Sequence, residues 1–148
     1  MPVSDAQVRA LRAFLSNAAT EMAPLAYQLG DLGVIGYLRL ADAALSLLAC
    51  RRFPRYSNAD VVRYVASVRR DRLADGEVYD IDPLVGENVV KSSLGLPGSP
   101  QPPEERLKAV IALLGALSVD ELHTDADTDE LLAEARVLAD RRLAAEQA

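Results

Sequence analysis

Residues 31–52 read DLGVIGYLRLADAALSLLACRR, and this stretch decides the fold class. After residue 33 its only polar side chains before the terminal CRR are Arg39, Asp42 and Ser46, so a helix here would be apolar around almost its whole circumference. A helix of this kind belongs at the centre of a helical protein. Arg39 and Asp42 stand three residues apart, and we expect them to pair on its narrow polar edge.

Capping signals and helix breakers on both sides of this stretch predict further helices. Ser4 with Gln7 forms a capping box, Ser57 is a suitable N-cap, and Asp82 followed by Pro83 is a strong helix start. Pro24, Pro54 and Gly95 interrupt or end helices. The predicted helices cover approximately residues 5–22, 31–52, 58–73, 83–94, 104–117 and 128–146.

Apolar residues at steps of three and four indicate which helix faces turn inward. Val61, Val65 and Val68 define such a stripe on the third helix, and Leu107 begins a similar stripe on the fifth. Cys50, at the end of the central helix, is expected to be a small buried hydrophobic residue.

The segment 96–103 reads LPGSPQPP and is the clearest connector in the chain. It favours extended geometry and cannot continue a helix. It separates a four-helix part, residues 1–95, from a C-terminal helical hairpin, residues 104–148. A hairpin of this size needs a surface to pack on, so we expect one all-helical domain in which it docks on the bundle or on another copy.

The composition agrees with an all-α bundle of about six helices. Half of the 148 residues are hydrophobic but only 5% are aromatic, so aliphatic side chains must fill the core. The single cysteine and an N-terminus without a secretory pattern indicate a cytoplasmic protein. Arg39 and Asp42 would be costly in a bilayer, so no membrane partner is expected.

Few residues are suited to catalysis or to metal binding. The chain has one histidine, His123, and the acids Asp125, Asp127 and Asp129 resemble the start of a calcium loop that then lacks its glycine and terminal glutamate. No serine has nucleophile-elbow spacing. The sequence predicts no metal and no cofactor, and it carries no catalytic signature by which to call the protein an enzyme.

Charge is distributed unevenly. Residues 51–72 contain seven arginines and two aspartates, a local net charge of +5, whereas residues 104–148 contain eleven acids and five bases. Arginine and tyrosine are enriched where interfaces concentrate their binding energy. We therefore predict a protein-interaction or regulatory module that binds a protein partner or itself. The candidate contact residues are Arg51, Arg52, Arg55, Tyr56, Arg63, Tyr64, Arg70 and Arg72.

Three other interpretations stay open at the level of the sequence. The arginines can pair internally with the acids of residues 75–82 and of the hairpin. They can also bind nucleic acid, although the spacing between the third and fourth helices does not fit a helix-turn-helix motif. Finally, residues distant in sequence can form a ligand or enzyme site, for which Tyr37, Arg39, Asp42 and His123 are the candidates.

Overall fold

The computed structural model describes residues 2–16, 29–77 and 80–147, with the side chains of residues 31 and 32 excepted. Over these residues it contains six α-helices and no strand, which confirms the all-α prediction. The predicted extension of the first helix to residue 22 and the break at Pro24 lie outside the described residues. The helices are α1 (Asp5–Ser16), α2 (Gly30–Arg52), α3 (Asn58–Ala74), α4 (Pro83–Ser93), α5 (Pro103–Glu121) and α6 (Asp125–Glu146).

Helix α2 lies at the centre of the protein, as its composition predicted. It packs against α1, α4, α5 and α6. By length and composition alone, residues 33–52 could cross a membrane, but half of that stretch is buried inside the protein. Leu40, Ala44 and Leu48 have no exposed surface. They belong to one continuous hydrophobic core to which all six helices contribute.

The C-terminal hairpin, α5 and α6, packs on α1 and α2. Two ion pairs accompany this packing: Arg39 Nε lies 3.2 Å from Glu146, and Arg106 lies 3.4 Å from Asp42. The predicted pairing of Arg39 with Asp42 is therefore wrong. Each side chain instead reaches across to a neighbouring helix, where the hairpin supplies an opposite charge that helical spacing could not reveal.

Local capping chemistry sets several helix boundaries. Gln7 Oε1 accepts from the Ser4 backbone N–H at 2.8 Å, which completes the predicted capping box. Asp82 accepts from the N–H groups of Leu84 and Val85 and begins α4 as predicted. Gly95, with φ of 80°, follows the end of α4.

The hairpin helices are longer than predicted. Helix α5 continues four residues beyond residue 117, and α6 begins three residues before residue 128. Thr124 caps α6 through a capping box with Asp127. Leu107 is 39% exposed, so the inward orientation predicted for it is also wrong.

Helix α3 lies at the edge of the bundle and packs on α4 and α5. Val61, Val65 and Val68 are buried, which confirms the predicted inward stripe. Because the described helices cover only one side of α3, the residues on its opposite side are exposed. This position makes α3 the element that presents the basic segment.

Candidate interaction surface

The basic segment, residues 51–72, consists of the last turn of α2, a short connection and most of α3. Ser57 Oγ accepts from the Asp60 N–H at 3.4 Å and starts α3 after an exposed turn that contains Arg55 and Tyr56. The segment therefore places its arginines at two locations, around this turn and along α3.

Three of the seven arginines are held by acids elsewhere in the fold. Arg51 lies 3.6 Å from Glu134 of α6. Arg69 donates two hydrogen bonds to Asp80, and this contact raises the pKa of Arg69 and lowers the pKa of Asp80. These pairs join separate segments, as the internal-pairing interpretation expects.

Arg72 is the third of these arginines and the least accessible. It lies 3.8 Å from Glu77, and only 20% of its side chain is exposed. Two of the predicted contact residues, Arg51 and Arg72, therefore have partners within the chain.

Arg52 and Tyr64 form an aromatic cluster with Phe53. The Arg52 guanidinium lies 5.1 Å from the centre of the Tyr64 ring, and the Phe53 and Tyr64 rings meet edge to face at 5.6 Å. Tyr64 is only 6% exposed, and its hydroxyl donates to Asp120 at 3.1 Å. Burial, followed by the Asp120 carboxylate, raises the pKa of Tyr64. Tyr64, predicted as a contact residue, is thus part of the core, and its ring is not available to a partner.

The remaining predicted contact residues are accessible. The side chains of Arg63 and Arg70 are 73% and 77% exposed, and their acidic neighbours, Asp60 and Asp71, lie on the same helix. Pairs this exposed contribute only about 0–1 kcal/mol, so they do little to hold either cation in place.

Arg55 and Tyr56 are exposed at the turn before α3. Arg55 is exposed and makes no ion pair with the part of the chain that the structure describes. Tyr56 is 46% exposed and donates its hydroxyl to Asn58. Both residues lie next to the first turn of α3.

Apolar residues on the same side of α3 were missed at the level of the sequence. Val62 is 38% exposed and Leu73 is 77% exposed. Ala59 and Ala66 are exposed as well. Residues 59, 62, 66 and 73 follow steps of three, four and seven, so they share one side of the helix. This pattern was visible in the sequence, where only the inward stripe was recognised.

We define the α3 outer face as these four residues with the two arginines beside them. Arg63 follows Val62, and Arg70 follows Ala66 by one turn, so both cations flank the apolar residues. Asp60 and Asp71 lie beyond the arginines, roughly 130–150° round the helix from the middle of the apolar stripe, by the periodicity of 3.6 residues per turn. The α3 outer face is Ala59, Val62, Arg63, Ala66, Arg70 and Leu73.

The residues proposed for a ligand site occupy separate environments. Tyr37 has no exposed surface, Arg39 pairs with Glu146, and Asp42 pairs with Arg106. His123 is exposed in the turn before α6, where its backbone N–H donates to Asp127.

A cavity of about 360 Å³ lies between α4, the connector and α5. The Asn88 side chain donates to the Leu84 carbonyl and accepts from the Ser99 N–H. Arg106, which also lines the cavity, donates to Asp42. These bonds hold the connector and α5 in place, which is a structural role.

The acids in the first turns of α6 are engaged by other residues of the chain. Asp127 completes the capping box, and its hydrogen bonds with the N–H groups of His123 and Thr124 lower its pKa. Asp129 instead binds Arg12 at 2.8 Å. Among the described residues no group of three or more His, Cys, Asp or Glu side chains is placed to hold a metal. Cys50 is exposed, so its predicted burial is wrong.

Comparison with known proteins adds no assignment: no family model matches the chain, and no curated protein or solved structure is significantly similar to it. The candidate surface therefore depends on the residues themselves.

Proposed function

We propose that this protein is an interaction module whose α3 outer face docks an amphipathic helix with acidic flanks on a protein partner. The observation that carries this proposal is the exposure of Val62 and Leu73 on the same side of α3 as the exposed Arg63 and Arg70. No other helix of the described chain covers this side.

The apolar residues favour a protein as the partner. Burying Val62 and Leu73 removes apolar surface from water, which supplies binding free energy only when the partner presents an apolar surface of its own. An amphipathic helix provides such a surface along one side. Ala66, which lies between the larger side chains, and Ala59, which precedes them, would let its backbone approach α3 closely.

The cations favour acidic flanks on that helix. Arg63 and Arg70 lie one heptad apart on one edge of the apolar stripe, in the position that flanking charges take beside a helix–helix seam. Opposite charges across a seam select partners and speed their encounter. Arg55 and Tyr56, at the beginning of α3, extend the surface with a further cation and an aromatic ring.

Nucleic acid is the alternative occupant of the same segment. Phosphate binding depends on cations that are free to replace counterions. Arg51, Arg69 and Arg72 are already paired with acids. A sugar–phosphate backbone also offers no apolar surface against which the centre of the α3 outer face could be buried. These features favour a protein partner.

The test is cross-linking in the cells that make the protein, with the wild type compared with the double variant Val62→Asp, Leu73→Asp. The matched control is Leu84→Asp, because Leu84 is 67% exposed but lies on α4. We expect a discrete cross-linked protein with the wild type and the control, and its loss with the double variant. Circular dichroism checks that all three proteins keep their helical content.

Two results would overturn the proposal. One is a cross-linking pattern that the double variant leaves unchanged. The other is binding of duplex DNA or RNA that weakens steeply as salt rises and that disappears in the variant Arg63→Glu, Arg70→Glu. That second result would assign the surface to nucleic acid.

A further inference from the structure

Helix α6 carries a second exposed apolar stripe. Val137 is 59% exposed, and Ala126, Ala133 and Ala144 are exposed on the same side. Their spacing of seven, four and seven residues places them along one side of the helix, as in the α3 outer face. The opposite side of α6 is buried through Leu131, Leu132 and Ala135 against the bundle.

Acids flank the N-terminal half of this stripe. Glu130 is exposed and makes no ion pair with any residue in the described ranges. Glu134 is about half exposed and pairs with Arg51 at 3.6 Å, so an arginine of a partner would compete with that contact. We define the α6 outer face as the four apolar residues with these two acids: Ala126, Glu130, Ala133, Glu134, Val137 and Ala144.

We propose that the partner of the α3 outer face is the α6 outer face of a second copy of this chain, an inference that rests on the proposed function. One surface has an apolar stripe flanked by two arginines. The other has an apolar stripe whose N-terminal half is flanked by two glutamates, with the exposed Arg141 one heptad beyond Glu134. Each surface therefore offers the apolar contact and the opposite charge that the other surface requires.

Charge also favours this pairing over two α3 outer faces and over two parallel α6 outer faces. When two α3 outer faces meet, Arg63 and Arg70 of one copy approach the same residues of the other, in either helix direction, and like charges repel. When two α6 outer faces meet in parallel, Glu130 and Glu134 repel in the same way. In the antiparallel arrangement Arg141 would oppose these glutamates, and the test below distinguishes that pairing because reversing Arg63 and Arg70 would leave it unchanged. Pairing α3 with α6 opposes arginine to glutamate and leaves the apolar stripes in contact.

Small residues at the middle of each stripe suit close helix packing. Ala66 and Ala133 occupy these central positions, and helices meeting at small side chains approach at the short end of the usual range of interaxial distances, roughly 8–10 Å. The larger Val62, Leu73 and Val137 then fill the space beside the crossing. The two faces fit each other in size as well as in charge.

The small number of residues on each face sets the expected strength of the association between two copies. Each face has six residues, whereas stable interfaces use roughly 20–30 residues on each side. Because each copy carries one of each face, the contact either is made twice in a closed pair or repeats in a ring or chain. We therefore expect association that depends on concentration, with a dissociation constant of roughly micromolar or weaker.

The test is analytical ultracentrifugation of the purified full chain over a wide concentration range, with two charge-reversal variants. In Arg63→Glu, Arg70→Glu both faces become acidic, and in Glu130→Arg, Glu134→Arg both become basic. Each variant alone should associate at least about tenfold more weakly than the wild type, because its two faces repel. Mixing the two variants should restore association, since each acidic face then meets a basic one.

The matched control is the variant Arg9→Glu, Lys91→Glu, which changes the net charge by the same amount as the α3 reversal but at residues of α1 and α4. It should associate like the wild type. Circular dichroism and urea unfolding establish that every variant is folded. A wild type that stays monomeric throughout, or reversal variants whose mixture does not recover association, would overturn the inference.

Failure of this inference is distinguishable from failure of the proposed function. A monomeric purified protein that still forms a cross-link to a different protein in cells, lost in Val62→Asp, Leu73→Asp, would overturn self-association alone. Loss of both results would overturn the proposed function as well.

Discussion

The hydroxyl of Tyr64 on α3 donates a hydrogen bond to Asp120 at the end of α5, with an oxygen–oxygen distance of 3.1 Å. This bond and the buried Tyr64 ring fix the rotation of α3 about its own axis. With Tyr64 turned inward, the α3 outer face must turn toward solvent, because it lies on the opposite side of the helix. The exposure of the candidate surface thus follows from a core contact.

Replacing Tyr64 by phenylalanine removes this bond and keeps the ring. We expect Tyr64→Phe to lower the free energy of unfolding by about 1 kcal/mol, the usual net value of one such hydrogen bond. The matched control is Tyr56→Phe, since the Tyr56 hydroxyl is at the surface and its removal should change stability by less than about 0.5 kcal/mol. Urea unfolding compares the two, and equal effects would contradict the assigned role of the bond.

Alkaline pH should destabilise the protein through its buried tyrosines. Burial raises the pKa of Tyr37 to about 12, whereas the same group in the unfolded chain titrates near 10. The contribution of Tyr37 to stability is therefore complete below about pH 10 and is lost as the pH rises through about 12. Between these two pH values the Tyr37 contribution to the free energy of unfolding falls by roughly 1.4 kcal/mol per pH unit.

The variant Tyr37→Phe separates this effect from other alkaline titrations. No hydrogen-bond partner of the Tyr37 hydroxyl is found among the described residues, so its removal should be neutral or stabilising at pH 7. Between about pH 10 and 11 the variant should lose less stability than the wild type in urea unfolding. Parallel pH profiles for the two proteins would show that Tyr37 is not the group responsible.

Gly86 allows α4 to approach α3. A Cβ atom at this position would lie 2.9 Å from Val65 Cγ1 and 3.5 Å from Ile81 Cδ1, both buried. We expect Gly86→Ala to destabilise the protein by about 1–3 kcal/mol, because this overpacking forces the two helices apart.

The control for this prediction is Gly115→Ala. The nearest atom of another helix to a Cβ there is Phe14 Cζ at an ordinary 3.9 Å, so the alanine should gain up to about 1 kcal/mol from helix propensity. Thermal or urea unfolding distinguishes the two substitutions, because one should lower the free energy of unfolding and the other should raise it. A Gly86→Ala protein as stable as Gly115→Ala would contradict the close approach of α3 and α4.

Local chemistry in the sequence was sufficient to place most helices. Asp82 with Pro83 and Ser57 before residue 58 are signals that act within a few residues, and the structure starts both helices there. The uniform apolarity of residues 34–50 likewise predicted a central helix. These predictions succeeded because the interactions that cause them lie close together along the chain.

Partners distant in the sequence were not predictable in the same way. Arg39 was expected to pair with its neighbour Asp42, but each binds a residue of the hairpin more than 60 positions away. Tyr64 was expected at the surface because the segment around it is basic, whereas the fold turns its ring inward. The choice among internal pairing, exposure and burial depends on helix packing, which spacing alone does not specify.

The most direct test of the central claim is to replace Ala66, at the middle of the α3 outer face, with a photoreactive amino acid and irradiate living cells. The same replacement at Glu104, which is exposed at the start of α5, serves as the control. We expect a specific polypeptide adduct from position 66 and none from position 104. Absence of an adduct at position 66, or the same products from both positions, would contradict it.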